Sequence, residues 1–332
     1  MNVPAGRRLP TLAALVLLAA LTGCTGDASQ GAPAERVSSA SVPIRESSAP
    51  ATTSGSPAPA ESVSPAAGGC SDDPPATNVA RSTGSGIKAT VLKQTGPSSQ
   101  WNIALPARTA GRVPELALTK LPSDFDAAFN LAYDKAGAFT YGGMVLQLHL
   151  TNPTRKKITI FDLRPVNMRT VCLPTGLLVL YGSEGGDFIG MTMSLDASRP
   201  VAHERNPDDG NVSTAPYFAS HTIVLPPGES ADVDLDISVA KRAYTFDLAL
   251  DYVTEGGKHT ELVDRAGHPF RATASSCPST VNRATLSAAD GRRLRGQHFD
   301  KILQRTGTVD ANGQFTVSKV TTAAYLKKCD TW

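Results

Sequence analysis

Five cysteines are the first side chains in this 332-residue chain that could do chemistry: Cys24, Cys70, Cys172, Cys277 and Cys329. A thiol can be acylated, oxidised to a disulfide, or deprotonated to ligate a metal or attack a carbonyl. Spacing separates these uses. Metal sites ask for cysteines or histidines a few residues apart, and no two cysteines here are that close. His149, His203, His221, His259, His268 and His298 are scattered, with no His-x-x-x-His pair. Met191 and Met193 with His149 would make a soft ligand set, but alternation puts both methionines on an apolar strand face, where core packing is expected. Asp232, Asp234 and Asp236 share one face of a strand at steps of ~6.8 Å, too far apart for one ion to bridge neighbours closely. A solvated face is expected there. Asn206, Asp208, Asp209 and Asn211 form a looser oxygen cluster in a polar stretch. No metal and no cofactor are expected.

Each thiol has an element that must position it. Arg7 and Arg8 precede an apolar run from Leu12 to Leu21, with no acid in residues 1–23. That run is too short to span a bilayer, which takes ~20 apolar residues. Its flanks are those of a secretory signal peptide. It closes on Leu21-Thr22-Gly23-Cys24, which resembles the bacterial lipobox. The resemblance implies cleavage between Gly23 and Cys24, a diacylglycerol thioether on the Cys24 sulfur and often an acylated amine. Two or three acyl chains, at about 0.8 kcal/mol per buried methylene, hold a protein stably on a membrane where one would not. No second apolar run approaches spanning length. The expected location is the extracytoplasmic face of the cell membrane.

If Cys24 carries lipid, four cysteines remain, and an even number in an exported chain favours two disulfides. Three connectivities are open. Pairing sequence neighbours, Cys70 with Cys172 and Cys277 with Cys329, is expected because each bridge would fasten one end of the chain. Each could stabilise by roughly 4–5 kcal/mol in the chain-entropy account.

Charge excludes one class of partner. The formal charge is +2, and removing a leader that carries Arg7 and Arg8 leaves none. A dedicated nucleic-acid binder would show a strongly basic face, so no nucleic-acid partner is expected.

Residues 24–69 combine the lipidated cysteine with a run of Ala, Ser, Pro, Gly and Thr. This run has too little apolar surface to offset its ordering entropy, so a tether is expected. Its reach is roughly 35–40 Å as a coil and about 140 Å fully extended. The folded domain is expected over 70–275. Strands are expected at Ile87–Gln94 and Trp101–Leu105. A short helix follows, capped by Ser123, with Phe125, Ala128, Phe129 and Ala132 on one face and Gly137 as its stop. Strands then resume from Phe139, with Met144, Leu146, Leu148 and Leu150 on one face and a buried run at Gly176–Tyr181. Residues 196–216 read as a long loop.

Val233, Leu235, Ile237 and Val239 alternate with Asp232, Asp234, Asp236 and Ser238. Tyr244, Phe246, Leu248, Leu250 and Tyr252 alternate with Thr245, Asp247, Ala249 and Asp251. Each pattern sends the apolar set to a core and the polar set to water. Short strands with turn signals between them indicate a mainly β fold, an antiparallel sandwich with one or two short helices. The stretches Leu148-His-Leu-Thr-Asn-Pro-Thr154 and Ile223-Val-Leu-Pro-Pro-Gly-Glu-Ser230, followed by the Val233–Val239 strand, resemble Ig-like and fibronectin-like modules of bacterial surface proteins. The likeness covers about 139–275 and lacks the Cys–Trp–Cys core of antibody domains. It implies a fold and no ligand.

Residues 276–332 carry nine Lys/Arg against four acids and read as a basic C-terminal appendage stapled by Cys277–Cys329. Phe299, Ile302 and Leu303 suggest a short helix there. Asp310-Ala311-Asn312-Gly313 reads as a hairpin turn.

Ser238-Val239-Ala240-Lys241 resembles the Ser-x-x-Lys of penicillin-binding enzymes. There the serine opens a helix and a Lys-Thr-Gly strand follows; here it closes a strand and no Lys-Thr-Gly exists. Gly182-Ser183-Glu184-Gly185 has the wrong spacing for a nucleophile elbow. No catalytic residue is expected. The function expected is a lipid-anchored binding or scaffolding module of the cell envelope, meeting the membrane through its lipid and a cell-wall polymer or envelope protein through the long 196–216 loop and the basic C-terminal appendage. An envelope enzyme or enzyme inhibitor, or a metal or small-ligand carrier, are the alternatives.

Overall fold

The computed structural model describes residues 86–97, 100–113, 125–181, 190–205, 211–311 and 315–329. In chain order the strands are β1 (Lys88–Thr95), β2 (Ile103–Leu105), β3 (Phe139–Tyr141), β4 (Gly143–Thr151), β5 (Ile158–Val171) and β6 (Leu177–Leu180). Then come β7 (Gly190–Ser194), β8 (His203–Arg205), β9 (Val212–Pro216), β10 (Ile223–Leu225) and β11 (Ser230–Ser238). The series ends with β12 (Ala243–Thr254), β13 (Gly257–Val263), β14 (Phe270–Thr273), β15 (Lys301–Val309) and β16 (Phe315–Val320). Helices are short: α1 (Ala107–Ala110), α2 (Phe125–Ala136), α3 (Thr280–Ala284), α4 (Ala288–Arg295) and α5 (Thr322–Lys327). The protein is mainly β, with two sheets.

The smaller sheet runs β1-β4-β11-β7-β8-β9, and the larger runs β10-β5-β12-β14-β3-β2-β6-β15-β16, with β13 also on β12. Most ladders are antiparallel. Among the described residues three are parallel: β7 with β11, β3 with β14 and β6 with β15. The apolar faces of the two sheets meet in one core. Leu146, Leu148, Leu150, Leu235 and Ile237 from the smaller sheet enter the same cluster as Ile160, Phe246, Leu248, Leu250 and Phe270 from the larger.

The two stretches that resemble surface modules come together at Asn152, which is fully buried. Its side-chain amide donates to the carbonyls of Lys156, Leu225 and Pro226, its side-chain oxygen accepts from Thr154 N, and its backbone N–H donates to Glu229 O. One side chain thus locks the β4–β5 turn to the β10–β11 turn.

α2 has the expected register. Phe129, Ala132, Tyr133 and Ala136 are its buried positions, at i, i+3, i+4 and i+7, and Gly137 ends it at φ +64°, a left-handed geometry that glycine takes without a Cβ clash. The capping residue expected, Ser123, lies outside the described residues.

Three expectations change. Residues 196–216 contain strands β8 and β9; β9 is exposed along its whole length, so it carries no alternation to read. Lys301–Val309 is a strand, not a helix. Ile302 and Leu303 are both fully buried, Leu303 in the core between the sheets and Ile302 in a second cluster with Ala104, Tyr141, Leu178, Phe299 and Tyr325. Adjacent residues buried on opposite sides are what a strand covered on both faces produces. The C-terminal segment is therefore built into the domain: β15 extends the larger sheet beside β6, and Tyr325 of α5 covers that sheet's far face. The β15–β16 hairpin forms as expected; its turn residues Asn312 and Gly313 lie outside the described residues.

Candidate functional site

Cys277 and Cys329 are joined in a disulfide with Cα atoms 5.5 Å apart. Cys172 is likewise disulfide-bonded. Its expected partner Cys70, the lipidation residue Cys24 and the cleavage residue Gly23 lie outside the described residues, as do Asn206, Asp208 and Asp209 of the oxygen cluster. Met191 and Met193 are buried in the core. His149 stands on the other face, 2.7 Å from Asp232. At the far end of the acidic row Arg205 donates to Asp236 at 3.1 Å. Burial pushes the Asp234 carboxyl up, with the Asp232 charge adding to it. Burial also pushes the Asp236 carboxyl up, against the pull of Arg205. Among the described residues no group of three metal-ligating side chains converges, and no helix is long and apolar enough to cross a membrane. Ser238 donates to the carbonyl of Met193, and the backbone N–H groups of Ala240 and Lys241 are held by Asp196, at 2.6 and 3.1 Å. The Ser-x-x-Lys residues thus form a braced strand end.

The outer face of β12 is different. Thr245 and Asp247, expected in water, are buried. Asn167 donates to Asp247 Oδ2 at 2.8 Å. Thr245 sits opposite Arg271 in the β12–β14 ladder, and Arg271 is only 7 % exposed. Beside this pair opens a cavity of about 560 Å³, the size of a small-ligand site.

Four local structures shape it. First, the C-terminal end of α2 lies along one side. Tyr133, on this turn, donates its hydroxyl to Arg271 O at 3.2 Å and accepts from Arg271 N. Burial pushes the Tyr133 phenol up, against the pull of Arg271 and Arg265, so it stays a donor. The guanidiniums of Arg265 and Arg271 stand 4.9 and 5.3 Å from its ring centroid. Second, the β13–β14 turn brings in His268. Ala266 and Gly267 there have φ +49° and +91°, and Asp264 accepts from Gly267 N at 2.8 Å. Third, α1 contributes Arg108 and Thr109, and Arg112 follows it. Gly176 lets the β5–β6 loop lie against this helix: a Cβ there would stand 2.7 Å from Ala107 Cα. Fourth, that loop, with Cys172, Leu173 and Pro174, forms the remaining wall. Gln297 donates to Pro174 O at 2.8 Å, and the backbone N–H groups of Asp300 and Lys301 reach Thr175 O and Gly176 O. The stapled C-terminal segment therefore braces the pocket wall.

The lining is basic. Arg108, Arg112, Lys135 and Arg271 face it, with His268; Asp134, the one acid among the described lining residues, is held by Arg265 at 2.9 Å. Ala136, Phe139, Val171 and Leu173 add apolar surface. Such a site can hold an anion and shield an apolar body. Sequence reasoning missed it, because its residues come from segments between 106 and 271. The one local signal was a charged residue inside the short strand Phe270–Thr273.

Comparisons of the chain with protein-family profiles, with curated proteins and with solved structures find no match.

Proposed function

We propose that this protein is a lipid-anchored binding module of the cell envelope, held on the extracytoplasmic face by Cys24 and presenting the α1–α2 pocket to its ligand. The pocket is the observation that carries the reading: a cavity of about 560 Å³ with cations in excess of acids and an apolar wall. Its polar lining supplies hydrogen-bond donors, which suits recognition. Cys172, being oxidised, offers no thiol nucleophile. A Cys70–Cys172 bridge would tie Cys70 to the pocket wall.

The anchor is tested by labelling cells with an alkyne fatty acid. Wild-type protein should take up label and fractionate with membranes, and Cys24→Ala should lose the label and reach the medium. An unlabelled wild-type protein, or a Cys24→Ala protein that stays on cells, would sink the reading. A pull-down from intact envelopes then identifies what the anchored domain holds.

A further inference from the structure

We infer that the pocket takes a small organic anion, one carboxylate or phosphate head on an apolar body, with Arg271 gripping the head. This rests on the reading of the domain as a binding module. Arg271 is a buried cation. Among the described residues it makes no ion pair; Nη1 donates to Tyr133 O at 3.2 Å, and Nε, also buried, has no partner there. Asp247, the acid on the same face of β12, accepts from Asn167. A buried charge left unpaired is costly, and buried charges are normally paired or fully hydrogen-bonded.

The bond to Tyr133 uses Nη1. Arg271 lines the cavity, and a guanidinium grips carboxylate and phosphate oxygens two at a time. Thr245, across the ladder and also in the lining, adds a hydroxyl. Arg112 and Lys135 are exposed at the mouth and attract anions from solution. Volume and lining exclude a bare inorganic ion as the intended occupant: about 560 Å³ with Phe139, Val171 and Leu173 on the wall calls for an apolar body behind the charge. The shared chemistry is an oxyanion. Its source is either a dissolved metabolite or the head group of an anionic lipid, and the vesicle arm below separates them.

The test is calorimetric titration of the wild-type lipoprotein in phosphatidylcholine nanodiscs. Hexanoate and hexyl phosphate should bind one to one. Hexanol and hexylammonium should not bind, and inorganic phosphate should bind at least about tenfold more weakly than hexyl phosphate. Arg271→Lys, which keeps the charge but not the two-pronged edge, should lose about tenfold, and Arg271→Gln about a hundredfold. Because Arg271 packs on Tyr133, those variants could lose fold as well. Arg112→Glu with Lys135→Glu changes only exposed side chains; it should weaken binding severalfold with an unchanged melting temperature. Failure of wild type to bind either anion, or equal binding by Arg271→Gln, overturns the proposal. Competition by phosphatidylglycerol vesicles assigns the oxyanion to a lipid head group, and binding that such vesicles leave unchanged assigns it to a dissolved metabolite. A labelled, membrane-bound protein that binds neither anion breaks this inference alone; absence of label on Cys24 breaks the module reading itself.

Discussion

Strands β11 and β12 turn the same kind of face to the core and opposite kinds of face away from it. On β11, Leu235 and Ile237 are fully buried while Asp232 is exposed and Asp234 half-buried. On β12, Phe246, Leu248 and Leu250 enter the same core, but Thr245, Asp247 and Ala249 behind them are buried too. The open face settles its charges with neighbours on the same sheet, His149 on Asp232 across the β4–β11 ladder and Arg205 of β8 reaching past β7 to Asp236. Beside the covered face lies a buried arginine that makes no ion pair among the described residues. The difference teaches where to look for a site: polar groups in water need nothing further, whereas polar groups taken out of water call for partners, and one without a protein partner is a place to look for a ligand or a water.

The largest expected effects test what the strands share. Leu235→Ala and Leu248→Ala should each cost about 2–5 kcal/mol in denaturant unfolding; a loss confined to one of them would mean that the two faces do not meet in one core. The staple comes next. Replacing Cys277 and Cys329 together by Ala should cost about 2–4 kcal/mol. It should also raise amide exchange at Leu173–Gly176 and in β6 and β15, while β4 and β11 keep their protection. Uniform loss across both sheets would contradict the bracing of the pocket wall by the C-terminal segment.

Outward-facing acids should then separate the strands. Asp247→Ala strips the partner from Asn167, a non-glycine residue at φ +53°, and should cost about 1–3 kcal/mol. Asp234→Ala, at a position in partial contact with water, should cost less, and the reverse order would break the comparison.

The smallest effects are in pH dependence, and they carry opposite signs. Asp234 and Asp236 have carboxyls raised in the folded state, so the unfolded chain gives up those protons first. Their contribution to stability therefore falls as pH rises above the ordinary carboxylate value of about 3.9 and levels off above the raised folded values. Asp290 behaves the other way. Burial would raise it, but the Ser287 hydroxyl and the Arg293, Lys241 and Arg242 charges outweigh burial and hold it low. Its contribution is present above the ordinary value and is lost as pH falls through the lowered one. Asp234→Asn should flatten the decline in melting temperature above pH 4, and Asp290→Asn should blunt the fall below it.

Much of the architecture was legible because it rests on local pattern. Alternation set the core faces of β4, β11 and β12; the i, i+3, i+4 spacing and Gly137 set α2; the turn before Phe315 set the last hairpin. Cys277–Cys329 was legible from cysteine arithmetic. What was hidden depends on distant chain. Whether a polar face is covered cannot be read from the strand that bears it, so Thr245 and Asp247 were assigned to water. Ile302 and Leu303 fit a helix in spacing, and only the clusters on either side of the sheet make them a strand. Strand pairing joins β6 to β15 across more than a hundred residues. The pocket is hidden for the same reason, since Arg108, Lys135, Cys172 and Arg271 meet only after both sheets form.

A crystal structure of the protein with hexyl phosphate is the most direct measurement. The account predicts the phosphate against Arg271, with oxygens at hydrogen-bond distance from its guanidinium, and the hexyl chain along Phe139 and Leu173. Phosphate held only by Arg112 and Lys135 at the mouth, with Arg271 untouched, would contradict it.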